Sequence, residues 1–326
     1  GLCCGMLGSV GFALFADGFF SAMVFRFLAG ISLAGTYMPG LQILNDRLNE
    51  VDRQKVLPWY LSAFSIGTAG SYFLTGVASA VMPWRYVFLL AGVCQLGCVV
   101  LVYFAIPGKR PKWLNPLDRH PLDFRPVLRN RTALAYIWGY TGHSYELFAY
   151  RAWIVAFLIF AASASGATMS REAVAGFAAL FSLLGAPASV LGAHLCLKRD
   201  RGKTISVVMM LSVVVGTILG FIGALPFVVV LVVAGLYSVF IMSDSAALTS
   251  GVVAAAREGE RGATLATHSV MGFSGGFLGP LVVGLVLDVG AGPESIQGWT
   301  FAFAATAAGS LFALMGLRYL LRRQSN

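Results

Sequence analysis

The chain of 326 residues is too apolar and too weakly charged for a water-soluble globular protein. Hydrophobic residues make up 58% of it, charged residues 11%, and the mean hydropathy is +0.79, whereas a soluble domain has roughly 45–50% apolar and about 25% charged residues. The net charge of +9 does not indicate nucleic-acid binding, because the basic residues form short clusters between apolar runs and no long basic arm is present. Lipid is therefore the predicted solvent of most of the surface.

Ten apolar segments follow one another along the chain, and each is predicted to be a transmembrane helix. A helix satisfies all of its backbone hydrogen bonds internally, as lipid requires, and the polar alternation of barrel strands is absent. The approximate bounds are 1–16, 19–44, 57–80, 86–106, 133–160, 173–197, 204–224, 226–252, 263–288 and 299–317. The first segment is shorter than the roughly 20 residues needed to cross a bilayer, so we expect it to be the remainder of a longer helix.

The loops between these segments divide the basic residues very unevenly. If residue 1 is cytoplasmic, nineteen of the 23 basic residues fall in cytoplasmic loops and the C-terminal tail, while the outer loops hold only Arg85 and Arg171. Such asymmetry sets the orientation of membrane proteins, so both ends are predicted to be cytoplasmic. The longest loop, 107–132, is basic and rich in proline, and we expect it to link a four-helix part (1–106) to a six-helix part (133–326).

The second part of the chain repeats features of the first part at an offset of 208 residues. In both copies an acidic and a basic residue open a Gly-rich span after a cytoplasmic turn. The matching positions are Asp52 and Glu260, Arg53 and Arg261, Gly67 and Gly275, and Gly76 and Gly284. Internal repeats of this kind are common among secondary transporters.

Four stretches of the sequence resemble helices of the major facilitator superfamily (MFS). GERGATLATHSVMGFSGGFLGPLVVGLVLD (259–288) resembles its eleventh helix, including Gly279 and Pro280, and RFLAG (26–30) resembles its fourth-helix signature, with Arg26 and Gly30 at the expected spacing. Residues 52–76 and 84–92 resemble its fifth and sixth helices. The resemblance covers essentially the whole chain as helices three to twelve, and it implies an all-α fold of two pseudo-symmetric bundles, with ten helices present of twelve.

Four ionisable side chains lie well inside the predicted spans: Arg26, Glu146, Arg151 and Asp244. A charge near the bilayer centre costs at least ~2.5–3.5 kcal/mol, so such residues usually face a polar cavity and have a function, with a structural ion pair between helices as the alternative. The resemblance associates Arg26 with proton coupling. An arginine stays protonated, so it would influence a nearby carboxylate rather than carry protons itself.

The fifth segment holds the densest polar cluster. At 100° per residue His143, Glu146 and Tyr150 share one helix face, whereas Arg151 lies about 140° from Glu146 and is not expected to pair with it. Glu146, near mid-span, is the first candidate for a protonatable carboxylate, and His143 is a candidate proton relay. Tyr140 and Tyr150 are the tyrosines we favour as cavity-lining residues.

The eighth segment carries a second candidate acid. Asp244 lies near mid-span between Ser243 and Ser245, which can hydrogen-bond a neighbouring group or bend the helix locally. Asp244 is predicted to bind a proton or a cation. His268 on the ninth segment is equally compatible with a structural role.

The sequence contains no motif of a soluble enzyme or a nucleotide-binding site, and we predict no cofactor and no metal site. If the protein moves a solute across the membrane, the energy for this movement must then come from an ion gradient or from the concentration gradient of the solute itself. The resemblance implies a monomeric secondary transporter in a bacterial inner membrane, with a small solute and protons as its partners, that works by alternating access. An uncoupled facilitator and a non-transporting sensor or receptor on the same scaffold are the alternatives.

Overall fold

The computed structural model describes residues 1–48, 50–105, 124–257 and 259–322, and every regular element among them is a helix. In chain order these helices are α1 Leu2–Phe15, α2 Phe19–Ala34, α3 Tyr37–Arg47, α4 Glu50–Val81, α5 Trp84–Ala105, α6 Arg125–Arg129, α7 Arg131–Ala164, α8 Arg171–Lys198, α9 Arg201–Phe221, α10 Phe227–Ser243, α11 Ser245–Ala255, α12 Arg261–Val289 and α13 Ile296–Arg322. The all-α class predicted from the sequence is confirmed.

Within the described ranges, eight helical segments are long and apolar enough to cross a membrane, if Phe19–Leu41 (α2 and part of α3) and Phe227–Ala255 (α10 and α11) are each counted as one. Two of the ten predicted spans fall outside this set, because α1 has only 14 residues and α4, although 32 residues long, does not reach the same apolarity. Large apolar side chains project outward from the spans, for example Val228 and Phe277, which are 70% and 69% exposed. Apolar surface of this kind is stable against lipid tails and not against water.

Two predicted spans are interrupted. The segment predicted over 19–44 is divided into α2 and α3, and the segment predicted over 226–252 is divided into α10 and α11. In the second case Asp244 alone separates the two helices, with φ −95° and ψ −15°. Because these angles lie in the right-handed helical region, this stretch contains a one-residue irregularity within a single span of 29 residues, Phe227–Ala255.

The beginnings of three helices follow from their capping residues. Asn130 accepts a hydrogen bond from the backbone N–H of Ala133 at the start of α7, at 3.1 Å. Ser170 and Asp200 act in the same way at the starts of α8 and α9. Each cap satisfies one backbone donor that the first turn of a helix leaves free.

Only the end of the predicted loop 107–132 lies within the described residues. There, α6 forms a single short helix and α7 begins at Arg131, two residues before the predicted start of the span. Residues 107–123 lie outside the described part of the chain, as do the side chains of Asp52, Arg53 and Lys55.

The described helices belong to two compact units. Unit 1 consists of residues 1–57 and 74–116, and unit 2 consists of residues 58–73 and 117–326. Helix α4 thus contributes its middle part to unit 2 and its two ends to unit 1.

Unit 1 contains an aromatic cluster where α1, α2 and α5 pack together. The rings of Phe12 and Phe88 lie 4.5 Å apart, and Trp84 packs edge-on against Phe12. At the beginning of α5, Arg85 donates to Asp17 at 2.6 Å and to the carbonyl oxygen of Ala13.

In unit 2, α7 packs against α12, α13, α11, α10 and α8. A row of glycines on α12 lies directly on it: a Cβ atom at Gly275 would lie 2.2 Å from the carbonyl oxygen of Thr141, and one at Gly279 would lie 2.0 Å from that of Tyr145. Farther along, Trp153 donates to the carbonyl oxygen of Pro280 at 3.0 Å and covers Gly284. Small residues allow this close helix approach in membranes, where packing rather than hydrophobicity holds helices together.

The two ends of unit 2 carry different charge. The starts of α7, α9 and α12 and the ends of α8 and α13 lie at one end of the helix bundle, because successive long helices alternate in direction. Basic residues collect there, among them Lys198, Arg201, Arg261 and Arg322. The opposite end carries Arg171 together with Glu172, Asp288 and Glu294.

Candidate functional site

Three polar residues of α7 point toward the interrupted pair α10 and α11. His143 contacts Asp244, Glu146 accepts a hydrogen bond from Tyr237, and Tyr150 donates one to the carbonyl oxygen of Ala234. All three side chains are buried. Their spacing of three and four residues places them on one helix face, and the structure thereby joins α7 to α10 by polar contacts over two turns.

Glu146 lies in a cage of hydroxyl groups. Its Oε1 atom accepts from Ser212 Oγ and from Tyr237 OH, each at 2.8 Å, and the residue is 3% exposed. The hydroxyl of Ser310 on α13 lies near the same carboxyl group but is not in hydrogen-bond geometry. Among the ion pairs of the described residues none involves Glu146, so hydroxyl dipoles surround a carboxyl group that has no cationic partner there.

His143 and Asp244 form a buried pair between α7 and the helix interruption. His143 Nδ1 lies 2.7 Å from Asp244 Oδ1, and the two side chains are 2% and 5% exposed. The structure therefore brings together the predicted proton relay and the second predicted acid. A buried pair of this kind is costly to break on one side only, because the remaining charge stays buried without a partner.

Tyr140 lies between two histidines. Its ring centroid is 5.5 Å from that of His143 and 4.0 Å from that of His268 on α12. His268 is fully buried, and neither of its ring nitrogens has a hydrogen-bond partner in the described residues. Tyr140 also covers Gly272, one turn beyond His268, so the α7–α12 contact includes this stack of rings.

Tyr150 lines a small internal cavity of unit 2. The cavity volume is about 10 Å³, and its other lining residues include Tyr237, Trp153, Trp299 and Thr306. Such a volume holds about one water molecule. Tyr150 thus lines this small cavity, whereas Tyr140 is not among its lining residues, and the role of both tyrosines in a transport pathway stays a prediction.

Arg151 points to a different surface of α7 from Glu146. Its guanidinium lies over the ring of Phe64, 4.9 Å from the centroid, and its backbone carbonyl oxygen accepts from the hydroxyl of Tyr72. Both partners come from the part of α4 that belongs to unit 2. A guanidinium over an aromatic face gains about 0.5–2 kcal/mol, depending on how dry the contact is.

Arg26 in unit 1 also lies against aromatic rings. Its guanidinium carbon is 4.4 Å from the centroid of Phe12 and 5.0 Å from that of Phe88. No carboxylate pairs with it among the ion pairs of the described residues. Its predicted influence on a carboxylate stays a prediction.

Three polar partners in the site were not predicted. Ser212, Tyr237 and Ser310 surround Glu146 from α9, α10 and α13. Serine and tyrosine are common in membrane helices for many reasons, so their types alone do not identify them. The only signal in the sequence was that each lies near the middle of its apolar segment, at a depth comparable with that of Glu146.

We expect Tyr237→Phe to destabilise unit 2 by about 1–2 kcal/mol, because it removes a buried hydrogen bond to Glu146 and keeps the ring. The ring contact with Tyr150, at 5.3 Å between centroids, should survive. Thermal unfolding of the purified protein in detergent measures the change. Tyr103→Phe is the control, since Tyr103 is 79% exposed; an equal loss of stability in both variants would contradict this role for the hydroxyl of Tyr237.

Apolar helices that pack through glycine rows and enclose a few ionisable side chains define a multi-pass helical membrane protein. The sequence profile of the Major Facilitator Superfamily matches residues 1–280. The chain belongs to this family, which confirms the resemblance seen in the sequence.

Curated relatives match parts of the chain. The probable L-galactonate transporter of Escherichia coli (strain K12) is 26% identical over 144 residues, which are 40% of this chain and 32% of that protein. Solute carrier family 22 member 1 of Oryctolagus cuniculus is 30% identical over 105 residues, which are 32% of this chain and 18% of that protein. The matched part is thus a third or less of the length of each relative.

Solved structures match nearly the whole chain. A bacterial homolog of the human lysosomal transporter Spinster, inward-facing and occupied, superposes with a TM-score of 0.69 at 14% identity, covering 98% of this chain and 81% of that one. The fucose:proton symporter of E. coli gives a TM-score of 0.62 at 17% identity, covering 96% and 82%. At these identities the likeness establishes the fold.

Proposed function

We propose that the protein is a secondary transporter that moves a small solute by alternating access and couples this movement to protons. The observation that carries the proposal is Glu146, a carboxyl group 3% exposed among hydroxyl groups. A buried charge without a counter-ion costs several kcal/mol. Proton binding there therefore changes the relative free energies of packing arrangements, which is what coupling requires.

The family and the absence of an enzyme motif in the sequence support transport rather than catalysis. For the solute we propose a small hydroxylated compound, since the names of similar proteins include L-galactonate, fucose and xylose transporters. One of them is named as a proton symporter. The candidate residues for the solute and proton pathway are those of the site described above, Tyr140, His143, Glu146, Tyr150, Arg151 and Asp244, with Arg26 in unit 1.

We further propose a bacterial inner membrane as the location, with both ends of the chain on the cytoplasmic side. The basic residues at one end of unit 2 support this orientation, because positive charge is retained in the cytoplasm. We also propose that the protein is a monomer with an N-terminal bundle (1–106), a cytoplasmic linker (107–132) and a C-terminal bundle (133–326). In this proposal the two bundles rock about a site near the middle of the membrane.

Uptake into proteoliposomes tests the proposal. The full-length protein is reconstituted, a pH gradient is imposed, and uptake of labelled L-galactonate, fucose and xylose is followed, with a protonophore added in a parallel sample. We expect concentrative uptake of at least one hydroxylated solute that the protonophore abolishes. Equilibration without accumulation would indicate an uncoupled facilitator, and binding without flux would indicate a sensor; either result would reject proton-coupled transport.

A further inference from the structure

Helices α9 and α13 of unit 2 run in opposite directions and pack against each other from one end to the other. At one end the hydroxyl of Thr300 donates to the carbonyl oxygen of Gly220 at 2.8 Å. At the other end a Cβ atom at Gly202 would lie 2.8 Å from Leu321 Cδ1. The first turn of α9 therefore lies beside the last turn of α13, at the basic end of unit 2.

Each of the two helices carries a stripe of exposed apolar side chains. The spacings of three and four residues, and their multiples, place each stripe on one helix face. The residues are Val207, Leu211, Val214 and Ile218 on α9, and Phe301, Phe312 and Met315 on α13. Exposed apolar faces on membrane-spanning helices are stable against the acyl chains of lipids.

Both stripes are continued by basic residues at the basic end of unit 2. Lys203 is exposed one turn before the apolar stripe of α9 begins, and Arg318 and Arg322 are exposed in the last two turns of α13. Lys203 directly follows Gly202 in the sequence. Arg322 directly follows Leu321, so the basic ends of the two stripes meet where the two helices contact each other.

The opposite ends of the same two helices are uncharged. There α9 ends with ILGF (218–221) and α13 begins with IQGW (296–299). At the basic end Asp200 adds one negative charge, and its carboxylate accepts a hydrogen bond from the backbone N–H of Lys203 at 2.7 Å. The positive charge on this pair of helices is therefore confined to one membrane surface.

A phospholipid has the same distribution of polarity, with apolar acyl chains beneath a charged phosphate. Lysine and arginine residues near an anionic membrane surface each strengthen binding about fivefold, and basic pockets between membrane helices bind anionic head groups. A guanidinium can also donate two parallel hydrogen bonds to one phosphate. In a zwitterionic lipid the ammonium group offsets the charge of the phosphate, so these residues distinguish lipids by the net charge of the head group.

We infer that this surface of α9 and α13 is a binding site for an anionic phospholipid. The phosphate contacts Lys203, Arg318 and Arg322, and the acyl chains lie along the two apolar stripes. We call it the lipid site. It does not rest on the proposed function, because lipid binding requires no transport.

Native mass spectrometry of the full chain in detergent tests the inference. Phosphatidylglycerol and phosphatidylcholine with identical acyl chains are titrated separately, and the dissociation constant of the first bound molecule is measured. We expect phosphatidylglycerol to bind at least about tenfold more tightly. The double variant Lys203→Gln with Arg318→Gln should reduce this preference to about threefold or less. A lack of preference in the unmodified protein would overturn the inference.

Two further double variants separate the lipid site from net charge and from folding defects. Arg129→Gln with Arg257→Gln removes two exposed positive charges at the same end of unit 2, outside α9 and α13, and should keep the preference. Lys203→Arg with Arg318→Lys keeps both charges in place and should keep it as well. Equal losses in the two charge-removing variants would show that overall charge, and not this surface, selects the lipid.

Inorganic phosphate distinguishes a lipid from a free anion as the ligand. A tenfold excess of inorganic phosphate over phosphatidylglycerol should change the lipid dissociation constant by less than about twofold, because burial of the acyl chains contributes to binding of the lipid alone. Displacement of the lipid by this excess would identify a simple anion site and overturn the inference. Retention of the tenfold preference in Lys203→Gln with Arg318→Gln would overturn it too.

Discussion

Replacing Gly275 or Gly279 by alanine is expected to destabilise the protein by about 2–3 kcal/mol each. The added Cβ would lie 2.2 or 2.0 Å from a backbone carbonyl oxygen of α7, at Thr141 and Tyr145. A backbone oxygen inside a membrane helix cannot rotate away as a side chain does, so α12 must move away from α7. The contacts of Trp153 with Pro280 and Gly284 would be lost with it.

Thermal unfolding in detergent, followed by gel filtration of the heated sample, measures this effect. A loss of this size corresponds to roughly 4–12 °C in Tm for a unit of about 150–250 residues, the size range of unit 2. Gly67→Ala is the matched control, because Gly67 is the repeat-related partner of Gly275 and a Cβ there would meet no atom within 4 Å among the described residues. A drop in Tm as large for Gly67→Ala as for Gly275→Ala would show that close helix approach is not the cause.

This pair of glycines also shows what a repeat in the sequence can predict. Gly67 and Gly275 correspond in the sequence, and both lie inside long helices, as predicted. Only Gly275 packs against another helix backbone. A repeat identifies equivalent positions along the chain, but the distance to a neighbouring helix depends on side chains that the two copies do not share.

In the candidate site, too, the sequence predicts positions along one helix but not the contacts between helices. The polar face of α7 could be predicted because His143, Glu146 and Tyr150 lie on one helix, where a fixed rotation per residue sets their directions. The hydroxyl groups around Glu146 could not be predicted, because Ser212 and Tyr237 come from other helices whose rotation about their axes depends on packing. Such rotations follow from contacts between helices rather than from the apolarity of each segment.

The irregularity of the helix at Asp244 could be predicted from the sequence only in part. For the flanking serines the sequence left two alternatives, a hydrogen bond to a neighbouring group or a local bend, since serine hydroxyls bond to backbone carbonyls and weaken a helix locally. Ser243 does bond to the carbonyl oxygen of Val239, at 2.7 Å. The contact of Asp244 with His143, at 2.7 Å, could not be predicted, because it depends on how two helices pack against each other.

Glu146→Gln is expected to abolish solute accumulation driven by a pH gradient, with a loss of at least about tenfold. A glutamine has the same shape, and its side-chain oxygen still accepts from Ser212 and Tyr237, so the hydroxyl cage keeps its donors. What it cannot do is bind and release a proton. Because the amide resembles the protonated acid, exchange of labelled for unlabelled solute across the membrane, which needs no net proton movement, should continue.

The measurement is therefore a comparison of two assays on the same proteoliposomes. Accumulation under an imposed pH gradient should disappear in Glu146→Gln, whereas solute exchange at equal pH should stay within about twofold of the unmodified protein. Glu172→Gln is the control, because this carboxylate lies exposed in the first turn of α8, and both of its assays should stay normal. If Glu146→Gln accumulates solute normally, the proton must bind elsewhere. If it loses exchange as well, Glu146 acts through the packing of α7 on α9 and α10, and the proposal that it carries the coupled proton is rejected.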